Sequence, residues 1–537
     1  MSLNKESRNG LSSYEQLDIP QYRKFLKELQ NRTEELWETV LCRGPVLNSS
    51  ELLREHTLIR EFLLEIEMMQ KTFSHSSEHT LTHSEQRKAA LTDFLQWANK
   101  VGIFHHFVEI VYVEDVDGFG LTSSGYAAVG SDLLKVPRKA IFSWDQARTS
   151  AFLNNSYIPN FRHAFDRDLI IRSMDNVALA MMLCCQKLIP ESKWQPYIKM
   201  LPENFNTPLY FTTEQLQCLR PSPLFEESLL LYRNISRQFI HFLLEIIRSD
   251  QFRLRKKKSK EEMSVLQPLY TNSPLTAANF TFNLYRWSVA CISTRINMIP
   301  SEILKDELGQ PRMVPALIPF LDMANHSYTD DAFHEAVHFS DKFDCAEIIA
   351  VRDYKPFEPV NIFYGWRSSR DFLLHNGFVP LEKNIRDIYK LKIGLPKSKR
   401  ENARMHLFQT LGFIIESTIF AFEIRIFEPY FHDSLFRFAQ IYVLDEIPLT
   451  SEQVEEIVSS SDNIRKAWSF LHDRFALLHR AYGTVIDPLS AAYPAPPEFY
   501  KSSDSIRKSM IARLKLSEIE ILQKAEDFCS KQLLKIA

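Results

Sequence analysis

Three short segments contain the residues whose types could do chemistry. Residues 318–327, IPFLDMANHS, end an apolar run abruptly in a carboxylate, an amide and an imidazole, which are groups that hydrogen-bond a ligand. Residues 360–378 begin with VNIFYG, a strand-like run that ends in a tyrosine phenol. Far upstream, residues 113–121, VEDVDGFGL, place two glycines close together at a predicted turn. Each feature alone is more often structural than catalytic, so the prediction of chemistry depends on their combination.

The elements that must position these segments are short strands in a mainly helical chain. Apolar runs with β-branched and aromatic residues predict strands at 108–113, 133–137, 345–351 and 360–364. The chain has only 13 glycines in 537 residues, which argues against an all-β fold with many tight turns. The two strand clusters lie about 200 residues apart, so they must meet in space. The pattern therefore predicts a small β-rich core that is split by a helical insertion.

Helical patterns dominate from residue 403 to the end. The last helix is predicted to begin at Ser517, because Ser517 and Glu520 have the spacing of a capping box and an apolar face follows them.

Composition excludes several classes of function. The 64 basic and 67 acidic residues give a formal charge of −3, so no global field draws the chain to nucleic acid or to a membrane. No window approaches 18 uninterrupted apolar residues, and the polar N-terminus lacks a signal peptide's apolar run. Seven cysteines without a CxxC pair predict reduced thiols rather than a zinc site. We expect residence in the cytoplasm, with the nucleus left open by the basic run at 253–260.

The three segments together resemble the SET-domain methyltransferases. A D-x-x-N-H segment is followed about 40 residues later by F-Y-G, with D-G-F-G far upstream. The chain is similar to the subgroup typified by the Rubisco lysine methyltransferase, and within it to the actin-histidine N-methyltransferase branch. That similarity rests on KVPRKAIFS at 135–143, KWQPYIKMLP at 193–202, TPLYF at 207–211, YRWSVACISTRINMIPS at 285–301 and LKLSEIEIL at 514–522.

The resemblance implies an α+β fold. It has a β-rich SET core with a pseudoknot, interrupted by a helical insertion and followed by an all-α C-terminal domain. The implied domains are an N-terminal helical region at 1–104, a SET domain at 105–380 with its insertion at about 160–290, and a helical substrate-binding domain at 381–537.

The resemblance also implies a ligand and a site. It implies S-adenosyl-L-methionine as the cofactor, no metal, a protein substrate expected to be actin, and a monomer. The residues that match cofactor-binding positions are Arg87, Asp117, Gly118, Phe119, Arg295, Asp322, Met323, Ala324, Asn325, His326 and Asn376. The residues that match catalytic or substrate-side positions are Tyr364, Asn297, Leu321 and Arg367.

The acceptor side chain is predicted from pKa values. A lysine, with a reference pKa of about 10.4, must lose a proton before it attacks, whereas a histidine at about 6.5 is largely neutral near pH 7. Asn297 matches an asparagine that binds one ring nitrogen and leaves the other for the methyl donor. The related actin enzyme has tryptophan where this chain has Leu321, so a lysine acceptor stays open. A non-catalytic SET scaffold that binds actin is the alternative of a different class.

Overall fold

The structure is a computed structural model that describes residues 19–46, 48–73, 82–113, 118–150, 161–256, 274–327, 337–395, 401–413, 418–444, 451–486 and 502–536. The chain divides into two compact units. The first unit comprises Met1–Phe205 and Leu229–Tyr364, and the second comprises Asn206–Ser228 and Gly365–Ala537. The three domains expected from the sequence stay a prediction.

The strands of the first unit form three small antiparallel sheets. One is the hairpin of β1 (Val108–Val113) and β2 (Gly118–Ser123). The second has the order β3-β8-β7, from β3 (Asp132–Pro137), β8 (Cys345–Ile349) and β7 (Val337–Ser340). The third has the order β4-β6-β5, from β4 (Phe142–Ser143), β6 (Pro311–Leu317) and β5 (Asn297–Lys305). Because β3 pairs directly with β8, the two strand clusters meet in space as predicted.

Helices surround these sheets in the first unit. Their bounds are Ile19–Leu36, Ser49–Lys71, His83–Val101, Trp144–Thr149, Phe161–Arg167, Leu169–Arg172, Asp175–Leu188, Gln195–Ile198 and Phe282–Arg295. The long helix Leu224–Lys256 begins in the second unit and continues in the first. Helix Asp175–Leu188 buries the almost continuous apolar run from Val177 to Cys185. Such a run suits a helix that is enclosed on all sides. The hydroxyl of Ser288 donates to the carbonyl of Ala180 at 2.7 Å and so ties helix Phe282–Arg295 to it.

In its described residues, the second unit has several helices and one two-stranded sheet. Its further helices are Thr213–Cys218, Ser369–Asp371, Glu401–Thr410, Asp433–Tyr442, Ser451–Val458, Ser461–Ala481 and Ser503–Ile536. The sheet pairs β9 (Ile388–Gly394) with β10 (Ile419–Arg425). Its core is an aromatic cluster in which the ring of Phe438 lies 4.9 Å from Phe408 and 4.8 Å from Phe420. The α+β fold class is therefore confirmed, while β9 and β10 form a small sheet in the C-terminal region, where an all-α domain was expected.

Three local predictions differ from the structure. The last helix begins at Ser503 and not at Ser517, because the Ser517 hydroxyl donates to the Asp387 carboxylate instead of capping a helix. Gly118 and Gly120 lie inside β2 and not in a turn. Residues 360–364 form no strand, and within them only Ile362 makes an isolated bridge, with His326. Among the described residues, no helix combines the length and apolarity needed to cross a membrane.

Candidate active site

The site is built where two distant chain segments run side by side. His326 and Ile362 form a parallel bridge. The amide of Ile362 donates to the carbonyl of Asn325 at 2.9 Å, and the amide of Ser327 donates to the carbonyl of Ile362 at 3.2 Å. The D-x-x-N-H segment and the F-Y-G segment are therefore locked together by their backbones.

Strand β2 joins this pair from the other side. The amide of Val360 donates to the carbonyl of Leu121 at 2.8 Å, and the amide of Ser123 donates to the carbonyl of Glu358 at 2.8 Å. Residues 357–362 thus lie between β2 and the segment 325–327. Parts of all three segments that the sequence singled out, from β2, from 325–327 and from 360–364, converge on one place in the first unit.

Tyr364 is held by two contacts from the D-x-x-N-H segment. Its hydroxyl donates to the carbonyl of Ala324 at 2.7 Å, and its amide donates to His326 Nδ1 at 3.2 Å. The two rings lie 5.2 Å apart between centroids. Because Nδ1 accepts a hydrogen bond, His326 is a neutral imidazole with its proton on Nε2. His326 therefore orients Tyr364 through the backbone.

Asn325 faces β2 across a narrow gap. Its Nδ2 donates to the carbonyl of Phe119 at 3.4 Å. A Cβ atom placed on Gly120 would lie 3.0 Å from the same Nδ2, closer than ordinary van der Waals contact allows. The absence of a side chain at Gly120 is therefore what lets Asn325 approach the strand.

Arg87 reaches the site from helix His83–Val101. Its side chain is buried, and its Nε donates to the carbonyl of Met200 at 2.9 Å. The guanidinium carbon lies 5.0 Å from the ring centroid of Phe119, within the range of a cation–π contact. The structure therefore brings Arg87 to the β2 residues with which it was predicted to act.

The turn at Leu321–Met323 carries a buried carboxylate. Asp322 is 8% exposed and accepts a hydrogen bond from the Tyr197 hydroxyl. Burial raises the pKa of Asp322 to about 6, against the opposing effects of the Arg295 charge and the Tyr197 hydrogen bond. This carboxylate is therefore costly to ionise and depends on its two partners.

Phe320 directs the chain into this turn. Its φ of 75° lies in the left-handed region, which bulky side chains rarely adopt. The fully buried ring packs 4.7 Å from His105 and 6.1 Å from Phe94 between centroids. Local strain that tight packing maintains is typical of functional sites.

The remaining first-unit candidates are placed by β5 and by the turn. Asn297 is the first residue of β5, pairs with Ala316 of β6, and donates from Nδ2 to the carbonyl of Arg295 at 3.1 Å. Leu321 is fully buried in the turn that follows β6. Both lie on the chain that leads into the site, and their roles at the acceptor stay predictions.

Two candidates belong to the second unit. Arg367 Nη1 donates to Asn376 Oδ1 at 2.5 Å, so these residues bind each other. Asn384 Nδ2 donates to the carbonyl of Arg367 at 2.8 Å and fixes its backbone. Asp117 lies outside the described residues.

Comparison with known proteins decides the family. No protein-family model matches the chain. It is 30% identical over 512 residues to the actin-histidine N-methyltransferase of Rattus norvegicus, covering 93% of this chain and 76% of that protein. It is likewise 30% identical over 513 residues to the Homo sapiens enzyme of that name, covering 93% of this chain and 77% of the enzyme. The chain belongs to the actin-histidine N-methyltransferase family.

Solved structures support the fold of this actin-histidine N-methyltransferase family member. Rubisco LSMT bound to sinefungin and monomethyllysine matches with a TM-score of 0.61 and 16% identity, covering 83% of this chain and 93% of that one. Rubisco LSMT bound to AdoMet matches with a TM-score of 0.57 and 16% identity, covering 83% and 93%. The resemblance to the Rubisco enzyme, on which the prediction of a SET core rested, is confirmed.

Sequence reasoning missed three residues of the candidate site. Tyr197 lies in the segment KWQPYIKMLP, which was used only as a mark of resemblance. The sequence places Gly120 in a predicted turn and Phe320 in an apolar run. A proline-tyrosine pair in a short helix gives no local sign that its phenol reaches a carboxylate 125 residues away.

Proposed function

We propose that this protein is an S-adenosylmethionine-dependent methyltransferase whose acceptor is a histidine side chain of actin. The observation that carries the proposal is the parallel pairing of 325–327 with 362, which places the Tyr364 hydroxyl on the Ala324 carbonyl. Membership of a family whose characterised relatives are named for actin and histidine supports the choice of substrate.

The groups near this pairing suit S-adenosylmethionine, which carries a carboxylate, an ammonium, ribose hydroxyls and an adenine ring. Arg87 and Arg295 would hold anionic and polar parts of the cofactor, and Phe119 offers apolar surface. Two buried atoms, Asp322 Oδ1 and Arg295 Nε, have no hydrogen-bond partner among the described residues. Such atoms are expected where a ligand completes a site. When bound, S-adenosylmethionine supplies a methyl group that its sulfonium charge has already activated.

The chain's own contribution is positioning. The Tyr364 hydroxyl donates its hydrogen bond to the Ala324 carbonyl. The phenol oxygen can therefore only accept further hydrogen bonds. Asn297 already donates from Nδ2 to Arg295, so its amide oxygen is the atom it would offer to a ring N–H. A neutral imidazole whose N–H is held in this way keeps its lone pair on the other nitrogen. Alignment of the reacting atoms then supplies most of the rate.

A labelling experiment tests the proposal. Purified protein, tritiated S-adenosylmethionine and unmethylated actin are incubated near pH 7.5, and the product is mapped by mass spectrometry. We expect one methyl group on a histidine. Tyr364→Phe should lower kcat by roughly 10²-fold with little change in the KM for actin, because it removes a group that acts in the transition state.

A matched control is Tyr126→Phe in the same unit. The Tyr126 side chain is 60% exposed, and its hydroxyl donates to Asp353 Oδ2 at 3.0 Å at the surface. This control should leave turnover unchanged. A methyl group found on a lysine of actin would contradict the histidine acceptor and favour the lysine alternative. Actin binding without any labelling would favour the non-catalytic scaffold.

A further inference from the structure

Tyr197 sits at a junction between two parts of the proposed site. It is fully buried in the short helix Gln195–Ile198, and its hydroxyl donates to Asp322 Oδ2. Three residues later, the carbonyl of Met200 accepts the hydrogen bond from Arg87 Nε. One short stretch of chain therefore holds both a carboxylate of the D-x-x-N-H segment and an arginine that faces β2.

The Asp322 carboxylate has few partners. Among the residues that the structure describes, the titratable groups whose charges interact with it are Arg295, Tyr197 and the buried thiol Cys291. Only Tyr197 donates a side-chain hydrogen bond to it among the described residues. A buried carboxylate that loses such a donor retains the full desolvation cost.

A displacement of Asp322 would also shift the groups that position Tyr364 and Arg295. Asp322 occupies the middle of the turn Leu321–Met323, and the next carbonyl, that of Ala324, accepts the hydrogen bond from Tyr364. The carboxylate also attracts Arg295, at the end of helix Phe282–Arg295. Shifts of about 1 Å at such supports can cost about 10²-fold in rate.

We propose that Tyr197 is a positioning residue of the methyl-transfer site, which holds Asp322 in place so that Arg295 and the Ala324 carbonyl are correctly set. The inference rests on the proposed function, because it assigns Arg295 to the cofactor. Tyr197 itself acts only through Asp322.

The proposal predicts a pH dependence of cofactor affinity. The pKa of Asp322 is about 6, and the Tyr197 hydrogen bond lowers it. Without the hydroxyl, Asp322 takes up its proton at a higher pH and stops attracting Arg295. Binding is the better measurement, since a histidine acceptor itself titrates near pH 6.5 and would distort the rate profile.

The experiment compares Tyr197→Phe with the wild type by calorimetric titration of S-adenosylhomocysteine between pH 5 and pH 7.5. Wild-type affinity should fall below about pH 6. In the variant the midpoint should move up by about one pH unit, with roughly 3-fold weaker binding at pH 6.5 and roughly 10-fold weaker binding at pH 5.

Tyr285→Phe is the matched control. Tyr285 is also fully buried in the first unit, and its hydroxyl donates to Gln238 Oε1 at 2.8 Å, a neutral partner. This variant loses a comparable buried hydrogen bond, so a general loss of stability would appear in both variants. Only Tyr197→Phe should shift the midpoint.

Asp322→Asn keeps the test decisive if Tyr197→Phe does not fold. An amide can accept from the Tyr197 hydroxyl but carries no charge, so affinity should be weak and independent of pH over this range. Wild-type pH dependence in Asp322→Asn, or an unshifted midpoint in Tyr197→Phe, would overturn this inference alone. A wild-type protein that binds no S-adenosylhomocysteine at any pH would overturn the proposed function as well.

Discussion

Replacement of Gly120 by alanine tests the contact between β2 and Asn325. The added Cβ would lie 3.0 Å from Asn325 Nδ2 and 3.2 Å from Val113 Cγ2, whereas ordinary contact begins at 3.4 Å. The amide of Asn325 must therefore retreat by about 0.4 Å, the difference between those distances. Its hydrogen bond to the carbonyl of Phe119 is already 3.4 Å long, so it would be lost rather than stretched.

We expect Gly120→Ala to bind S-adenosylmethionine about 10-fold more weakly, which corresponds to about 1.4 kcal/mol. Overpacking should also lower the free energy of unfolding by about 1–3 kcal/mol. Calorimetric binding and thermal unfolding measure the two effects. Gly125→Ala is the control, because a Cβ there meets no atom within 4 Å. Equal affinities in Gly120→Ala, Gly125→Ala and the wild type would refute the assignment of Asn325 to the cofactor.

Two further predictions concern the second unit. Burial raises the pKa of Glu518 to about 7, above its unfolded value, so its contribution to stability is full at low pH and is lost as the pH rises through 7. The free energy of unfolding of Glu518→Gln, measured with urea, should therefore rise relative to that of the wild type by up to about 3 kcal/mol between pH 4.5 and pH 8. A difference that stays constant with pH would contradict this. Gly377 has φ of 82°, and a Cβ there would lie 3.0 Å from the amide nitrogen of Thr207. Gly377→Ala should lower the unfolding free energy by about 1–3 kcal/mol more than Gly412→Ala, which has φ of 85° but open space; equal losses would mean that the close contact is irrelevant.

The local pattern of apolar residues correctly predicted strands that pair with one partner strand along their whole length. The run 108–113 coincides with β1 because every residue pairs with β2. The run 360–364 has a similar composition but changes partner, from Leu121 at Val360 to Asn325 at Ile362. Each pairing is too short to form a strand, and nothing within five residues encodes that change.

Helix boundaries show the same limit. The capping-box spacing at Ser517 was read correctly as a pattern, but its hydroxyl has Asp387 as a partner, 130 residues earlier in the chain. Helix Ser503–Ile536 therefore continues through the motif. Tertiary contacts of this kind override local signals.

Family motifs predicted which residues would lie together, and the roles of those residues stay predictions. Asn325, His326 and Tyr364 come together as the resemblance implied. The support from Tyr197 depends on a hydrogen bond across 125 residues, which spacing cannot indicate. The left-handed backbone at Phe320 depends on enclosure by distant rings. Residence in the cytoplasm and the monomeric state stay predictions.

The convergence of β2 with residues 325–327 and 357–362 bears on how the protein is made. A ribosome exposes β2 long before it has synthesised Val360 and Ile362. Until then the carbonyl of Leu121, which accepts the hydrogen bond from the amide of Val360, lacks this donor. Loop closure over more than 200 residues is slow, and exposed strand edges invite aggregation meanwhile. The hairpin of β1 and β2 should therefore need chaperones during translation, and nascent chains stalled before residue 360 should lack its pairing with residues 358–360.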